Sequence, residues 1–300
     1  MKFVRTHNSN VFNESMKTEE LNSLRILLFS MASVIAFASN SIICRLALRE
    51  DTIDAGSFTV IRLVSGAVAL WLILIISGYR KKTEYQGSWT SASMLFLYAI
   101  AFSFAYIELD AGVGALIMFG AVQVTMLLTG LVQGERSDLL QWGGMIAAFS
   151  GLVYLVSPGL TAPPFLSSAL MLIAGVSWGV YSLRGRGNNN PIAVTTDNFI
   201  RTIPFAFIVA VALFPQIQLT TEGFLWAVLS GAVTSGIGYI IWYTALRGLT
   251  RTRASVIQLS VPVIAAIGGV ILLSEDITLR LVLSAILTLG GIAIVILRKA

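Results

Sequence analysis

Long apolar stretches alternate with short polar stretches along nearly the whole chain. Most apolar stretches are close to the roughly 20 residues that an α-helix needs to cross a bilayer. The pattern predicts ten membrane-spanning helices, at about 25–46, 57–79, 88–108, 111–133, 138–157, 165–184, 196–214, 222–246, 252–273 and 277–297. The links between them are short, with the clearest breaks at 158–164 and 185–191, so no loop has room for a soluble catalytic domain. The predicted fold class is an all-α integral membrane protein.

Composition supports this prediction and excludes several kinds of site. The chain is 56% hydrophobic and only 12% charged, whereas a soluble domain carries about 25% charged residues. Its one cysteine, Cys44, allows no intrachain disulfide, and its one histidine, His7, lies in a polar segment. A Cys/His zinc site or a histidine-based catalytic triad therefore has no candidate residues in the membrane body. We expect no catalytic residues, no metal and no cofactor.

The distribution of charge predicts how the helices are oriented. Residues 1–24 are polar and lack the apolar core of a cleaved signal peptide, so we expect a mobile cytosolic tail before an uncleaved first span. With the N-terminus inside, 16 of the 20 basic residues fall on the cytosolic side. The other four are Arg45, Arg49, Arg62 and Arg280. This bias predicts that both termini are cytoplasmic and that the number of spans is even.

An internal repeat divides the chain into two halves. A shift of 140 positions superposes 111–157 on 251–297 without a gap, and a shift of 139 brings Arg45 onto Arg184 and Arg62 onto Arg201. Five helices are an odd number, so the second half enters the membrane from the opposite side. We predict two inverted repeats, 25–157 and 165–298, which alternate access to a site between them.

Repeated motifs at the ends of the two halves carry a family resemblance. Gly134-Glu135-Arg136 precedes Gly143-Gly144 and Gly151, and Ser274-Glu275-Asp276 precedes Gly290-Gly291. Together with Arg62 and Pro262, this pattern resembles the drug/metabolite transporter superfamily in its ten-helix form with two EamA-type domains. Within it, the chain is most similar to bacterial aromatic amino acid exporters. The resemblance implies a bacterial inner-membrane protein in which helices one, three, four, six, eight and nine line a cavity.

Polar and aromatic residues inside the spans are the candidates for substrate binding. Asn40 is a strong hydrogen-bonding amide in an apolar first helix; it either binds substrate or joins two helices. Tyr98, Phe102 and Tyr106 form one stripe at a spacing of four. The cavity candidates are Asn40, Tyr98, Phe102, Trp178, Tyr239, Trp242 and Gln258. The hinge or packing candidates are Pro262, Gly175 and Gly179.

Several other residues have two interpretations. Gln123 either binds a zwitterion or packs between helices. Arg62 and Arg201 either pair with a substrate carboxylate or, as we favour, extend to the membrane surface. Glu135 and Glu275 are expected to cap loops or to pair with Arg136 and Arg280.

These features favour a transporter over an enzyme or a scaffold. We expect export of amino acids with aromatic or other apolar side chains, by a monomer surrounded by lipid. Hydrophobic cationic drugs and nucleotide or purine derivatives are the alternative substrates. The basic residues form no stripe with interleaved aromatics, so nucleic acid is not an expected partner. No span centre holds a carboxylate and no phosphate-binding loop exists, which favours facilitated efflux, or antiport with a coupling group at a span end.

Overall fold

The chain folds as a bundle of α-helices. The structure is a computed structural model that describes residues 3–77, 87–133, 138–159, 162–185, 190–249, 254 and 257–298. Ten long helices occur in this part of the chain, besides a short 3-10 helix at Phe214–Gln216. They are α1 (Phe3–Arg49), α2 (Ala55–Ile76), α3 (Trp89–Ala105), α4 (Ala111–Val132), α5 (Leu139–Val156), α6 (Phe165–Gly185), α7 (Pro191–Ala212), α8 (Thr221–Leu246), α9 (Ser260–Leu273) and α10 (Leu279–Arg298).

The ten predicted helices are confirmed, with the largest shifts at the starts of three helices. Eight of the described helices are long and apolar enough to span a membrane, and α3 and α9 are shorter apolar helices. Helix α1 already begins at Phe3, continuous with its apolar part Leu24–Arg49. Helix α7 begins at Pro191, five residues before the predicted start, because Asn190 caps it and proline suits a first helical position. Helix α9 is described as a continuous helix only from Ser260.

Contacts between helices repeat when the two halves are exchanged. Helix α6 packs on α3 and α4, and correspondingly α1 packs on α8 and α9. Helix α7 packs on α3, and α2 packs on α8. The remaining major contacts, α2 with α7, α4 with α9 and α5 with α10, each join a helix to its own counterpart. The internal repeat of the sequence is therefore also a repeat of the fold.

The links between helices gather at two ends of the bundle. At the odd-loop end, where the links after α1, α3, α5, α7 and α9 lie, the backbone of Thr52 accepts a hydrogen bond from Thr220 at 2.9 Å. We call the opposite end the even-loop end, because α2, α4, α6 and α8 finish there. At this end the Gly87 amide donates to Asp197 at 2.7 Å, and Arg184 donates to Ser91 at 3.1 Å. Successive helices thus cross the bundle in alternating directions, as an inverted repeat requires.

Glu275 joins three elements at the odd-loop end. Its carboxylate accepts hydrogen bonds of 2.9 and 3.0 Å from the Ala111 amide, which opens α4, and lies 3.7 Å from Arg45 Nε on α1. The predicted capping role is confirmed, but the predicted pairing with Arg280 is wrong. Arg280 instead donates to the carbonyls of Leu155 and Ser157, which terminate α5. Glu135 lies outside the described residues.

Glu275→Ala should destabilise the protein by about 1–3 kcal/mol, because the buried Ala111 amide and the Arg45 guanidinium would lose an acceptor. Glu275→Gln should lose less, since its amide oxygen can still accept from Ala111. The measurement is thermal unfolding of the detergent-purified protein, with Asp276→Ala, at an exposed neighbouring position, as control. Equal stability of Glu275→Ala and Asp276→Ala would contradict this assignment.

The pKa of the Glu275 carboxylate determines how this part of the stability changes with pH. Burial raises the pKa of Glu275 above its ordinary value of 4.5, although the Ala111 amide and Arg45 oppose the shift. The folded state therefore holds the proton more tightly than the unfolded chain does. The resulting stabilisation is complete below the ordinary pKa and is lost as pH rises through the raised pKa. We expect the Tm of the unsubstituted protein to fall over this range relative to that of Glu275→Gln.

Candidate functional site

A small cavity lies in the middle of the bundle and is lined by residues from both halves. Helices α1, α3 and α4 of the first half and α6 and α8 of the second half contribute to its wall. The lining residues are Phe37, Asn40, Ser41, Tyr98, Phe102, Met118, Phe119, Trp178 and Tyr239. All of these side chains are buried. The sequence-predicted residues Asn40, Tyr98, Phe102, Trp178 and Tyr239 therefore meet at one place.

Aromatic rings form most of the cavity wall. Trp178 lies at their centre, with ring centroids 4.7 Å from Tyr239 and 5.1 Å from Tyr98. Phe37 meets Trp178 and Tyr239 edge to face at about 6 Å. The sequence prediction missed Phe37, because a phenylalanine in an apolar helix carries no signal that separates a cavity face from a lipid face.

Asn40 connects α1 to two other helices at the edge of the cavity. Its carbonyl oxygen accepts hydrogen bonds from Ser230 at 2.6 Å and Thr234 at 3.0 Å, both on α8. Its amide nitrogen donates to the Tyr98 hydroxyl of α3 at 3.4 Å. Asn40 thus joins helices, as one of the two sequence interpretations predicted. Asn40 also lines the cavity, so it could contact a substrate there as well, and this second interpretation stays a prediction.

Arg62 of α2 lies directly behind the cavity wall. Its guanidinium donates from Nη2 to the Tyr98 hydroxyl at 2.7 Å and from Nε to Ser235 at 3.1 Å. The same group lies 5.0 Å from the ring centroid of Tyr98 and 4.9 Å from that of Phe102. Only 1% of the residue is exposed. Aromatic faces and hydroxyl groups therefore hold this charge inside the bundle.

The two arginines that match in the repeat have different environments. Arg201 is partly exposed, forms an ion pair with Asp197 at 3.2 Å and lies over the Trp89 ring at the even-loop end. The prediction that both arginines extend to the membrane surface agrees with the position of Arg201 but is wrong for Arg62. Distance from the span end does not predict the inward direction of Arg62, because that direction depends on how α2 packs against α8.

A π-helical segment of α8, Leu229–Ile237, produces that packing. Its hydrogen bonds run from residue i to residue i+5, which widens the helix and turns Ser230, Thr234 and Ser235 towards α1 and α2. Gly231 allows the α2 backbone to approach closely, because a Cβ atom there would overlap the Arg62 carbonyl oxygen. The sequence does not predict the π-helical hydrogen bonding, although the small and polar residues of this segment are a signal for close helix contact.

A model of the EamA-like transporter family matches residues 24–157 and 166–297, one copy for each half. The chain belongs to the EamA-like transporter family. The resemblance to the drug/metabolite transporter superfamily is thus confirmed, and the chain is a multi-pass membrane transporter.

Individual relatives cover most of the chain. The uncharacterized protein PA1977 of Pseudomonas aeruginosa is 47% identical over 272 residues, which are 91% of this chain and 94% of that protein. A probable amino-acid metabolite efflux pump of Escherichia coli is 26% identical over 215 residues, 66% of this chain and 71% of that protein. One solved structure, 17% identical, has the same fold, with a TM-score of 0.65 over 91% of this chain and 97% of its own.

The other predicted site residues of this EamA-like transporter lie outside the cavity wall. Trp242 packs edge to face on Phe37, one layer behind the wall. Gln258 is buried and accepts a hydrogen bond of 3.4 Å from Gln123, so these glutamines join α4 to the segment before α9. Contact with substrate stays a prediction for both Trp242 and Gln258.

The hinge and packing candidates are positioned at helix contacts or helix ends. Gly175 and Gly179 of α6 lie against α4, where a Cβ atom on Gly175 would come within 2.5 Å of the Met118 carbonyl oxygen. Pro262 lies in the first turn of α9, where its missing N–H leaves no hydrogen bond unmade. A hinge at Pro262 stays a prediction, and it would be located at the start of the helix.

Proposed function

We propose that this transporter exports small amino-acid-like metabolites with aromatic or other apolar side chains. The carrying observation is the buried aromatic wall around Trp178, which both halves build. Flat rings there can stack on an aromatic side chain and also accept Met or Leu. The name of the Escherichia coli relative, a probable amino-acid metabolite efflux pump, supports the same class.

The proposed mechanism is alternating access, without catalysis, by a monomer in the bacterial inner membrane. The repeated helix contacts support it, because each half can adopt the arrangement of the other and open the cavity to the opposite side. The excess of basic residues at the even-loop end supports a cytoplasmic position for that end and for both termini. Glu275 and Arg45 would then help to close the external side.

The charge of the site disfavours the alternative substrates. A hydrophobic cation in the cavity would be repelled by the buried Arg62 guanidinium behind the wall, and among the described residues the wall has no carboxylate to attract it. A nucleotide is disfavoured because the Arg62 guanidinium alone could not balance its several phosphate charges.

Counterflow in proteoliposomes tests this function. Vesicles with the purified protein and preloaded with unlabelled amino acid should take up labelled Phe, Trp and Met much faster than protein-free vesicles. Labelled Thr, which offers no apolar side chain, should exchange more slowly. Exchange of a cationic dye with none of the four amino acids would refute the proposal. Uptake that strictly requires an imposed pH gradient would refute only facilitated transport.

A further inference from the structure

The buried charge of Arg62 has no acidic partner in the described part of the chain. The ion pairs there involve Arg45 and Arg201, and none includes Arg62. A guanidinium removed from water and left without a counter-charge raises the free energy of the bundle, which aromatic contacts offset only in part. Binding of an anion next to Arg62 would therefore lower the free energy of the bundle.

Several hydrogen-bond donors at the cavity are available to a ligand. The Tyr98 oxygen accepts from Arg62 and Asn40, so its own proton can be donated to the neighbouring Tyr239 hydroxyl or to a ligand. Arg62 Nη1 and Trp178 Nε1 are buried and have no partner among the described residues. The Asn40 oxygen, in contrast, already accepts from two hydroxyl groups, which occupies both of its lone pairs. Such a wall matches a ligand group that only accepts.

We propose that Arg62, Tyr98 and Trp178 form a carboxylate-binding site, and that the substrates are apolar carboxylates whose α-amino group is dispensable. An ionised carboxylate accepts up to about four hydrogen bonds. It also supplies the negative charge that would pair with Arg62. The surrounding rings would contact the apolar remainder of the molecule once the cavity opens to admit it. This inference rests on the proposed function and narrows its substrate class.

The same arrangement discriminates against ligands that lack the carboxylate. An ammonium group only donates, and no described residue of the cavity wall offers it a carboxylate. A 2-oxo acid or an arylalkanoate should therefore bind at least as well as the matching amino acid. The amide or the amine of the same skeleton should bind far more weakly, because it leaves Arg62 unpaired.

Four ligands of one skeleton test this inference: 3-phenylpropionate, phenylalanine, phenylalaninamide and phenethylamine. The full-length protein in detergent is titrated with each, and the ligand-induced rise in Tm gives the apparent affinity. Inhibition of labelled phenylalanine counterflow gives a second measure. We expect the two carboxylates to bind about 10- to 100-fold more tightly than the amide or the amine.

Variants locate this preference. Arg62→Gln should abolish it, whereas Arg201→Gln, the repeat-related position with an ion pair of its own, should keep it. Tyr98→Phe and Trp178→Phe each remove one donor while leaving an aromatic ring at the position, and each should reduce the preference about 3- to 10-fold. If Arg62→Gln does not fold, these two variants decide the question.

The inference is overturned if phenylalaninamide binds as well as phenylalanine, or if Arg62→Gln or both ring variants retain the preference. Exchange of amino acids without a carboxylate preference would remove this inference alone. If neither amino acids nor 3-phenylpropionate exchange or raise the Tm, while a cationic dye is transported, the proposed function fails as well.

Discussion

Gly231→Ala should destabilise this transporter by about 3 kcal/mol, near the upper end for an overpacked core. The added Cβ would overlap the Arg62 carbonyl and the Ser65 hydroxyl. The hydroxyl can rotate away, but the carbonyl belongs to the α2 backbone, so α2 itself must move away from α8. Because Arg62 lies at this contact, its hydrogen bonds to Tyr98 and Ser235 should weaken together.

The measurement uses the chain's one cysteine. Cys44 is fully buried, so its reaction with a thiol-specific fluorogenic reagent during heating reports unfolding in detergent. Gly143→Ala and Gly290→Ala are matched controls, since a Cβ atom at either position meets nothing within 4 Å. Both controls should be neutral or slightly stabilising, because alanine favours the helix. A Gly231→Ala protein as stable as these two would show that the helices have more room than the structure indicates.

The fold was predictable because its main determinants act over short ranges of sequence. Membrane spans need long apolar runs, and each link between them is polar. The repeat then related the two halves, which the pairing of α2 with α7 and α5 with α10 confirms. The predicted start of α7 at 196 is wrong, because the apolar run begins later than the helix, which Asn190 caps and Pro191 opens.

The site was predictable only where residue type alone suggests position. Asn40, Tyr98 and Trp178 are polar or amphipathic residues in apolar helices, and they meet in the cavity. The inward position of Arg62 and the part played by Ser235 depend on the π-helical segment of α8, which is set by tertiary packing. The matched arginines show the same limit, since the repeat predicts equal backbone positions and not equal side-chain partners.

Trp178→Ala should have the largest effect of all, about 3–5 kcal/mol of lost stability, as for other large aromatic residues removed from a core. The ring contacts Phe37, Tyr98, Tyr181 and Tyr239, and 2% of the residue is exposed. Its removal leaves a void between α3, α6 and α8 that these neighbours cannot fill without moving. Thermal unfolding followed at Cys44 measures the loss, and Trp71→Ala, at a position 42% exposed, is the control that should change little.

Function should respond to Trp178 in two separable ways. Trp178→Phe keeps a ring in the wall, so counterflow of labelled Phe and Trp should still exceed that of Thr. Trp178→Ala, assayed below its lowered Tm, should lose this preference because stacking contributes about 0.5–1.5 kcal/mol for each aromatic pair. A Trp178→Ala protein that keeps the preference would mean that substrate does not stack there. The aromatic wall would then serve only to hold the two halves together. Arg62 would remain as the candidate for substrate contact.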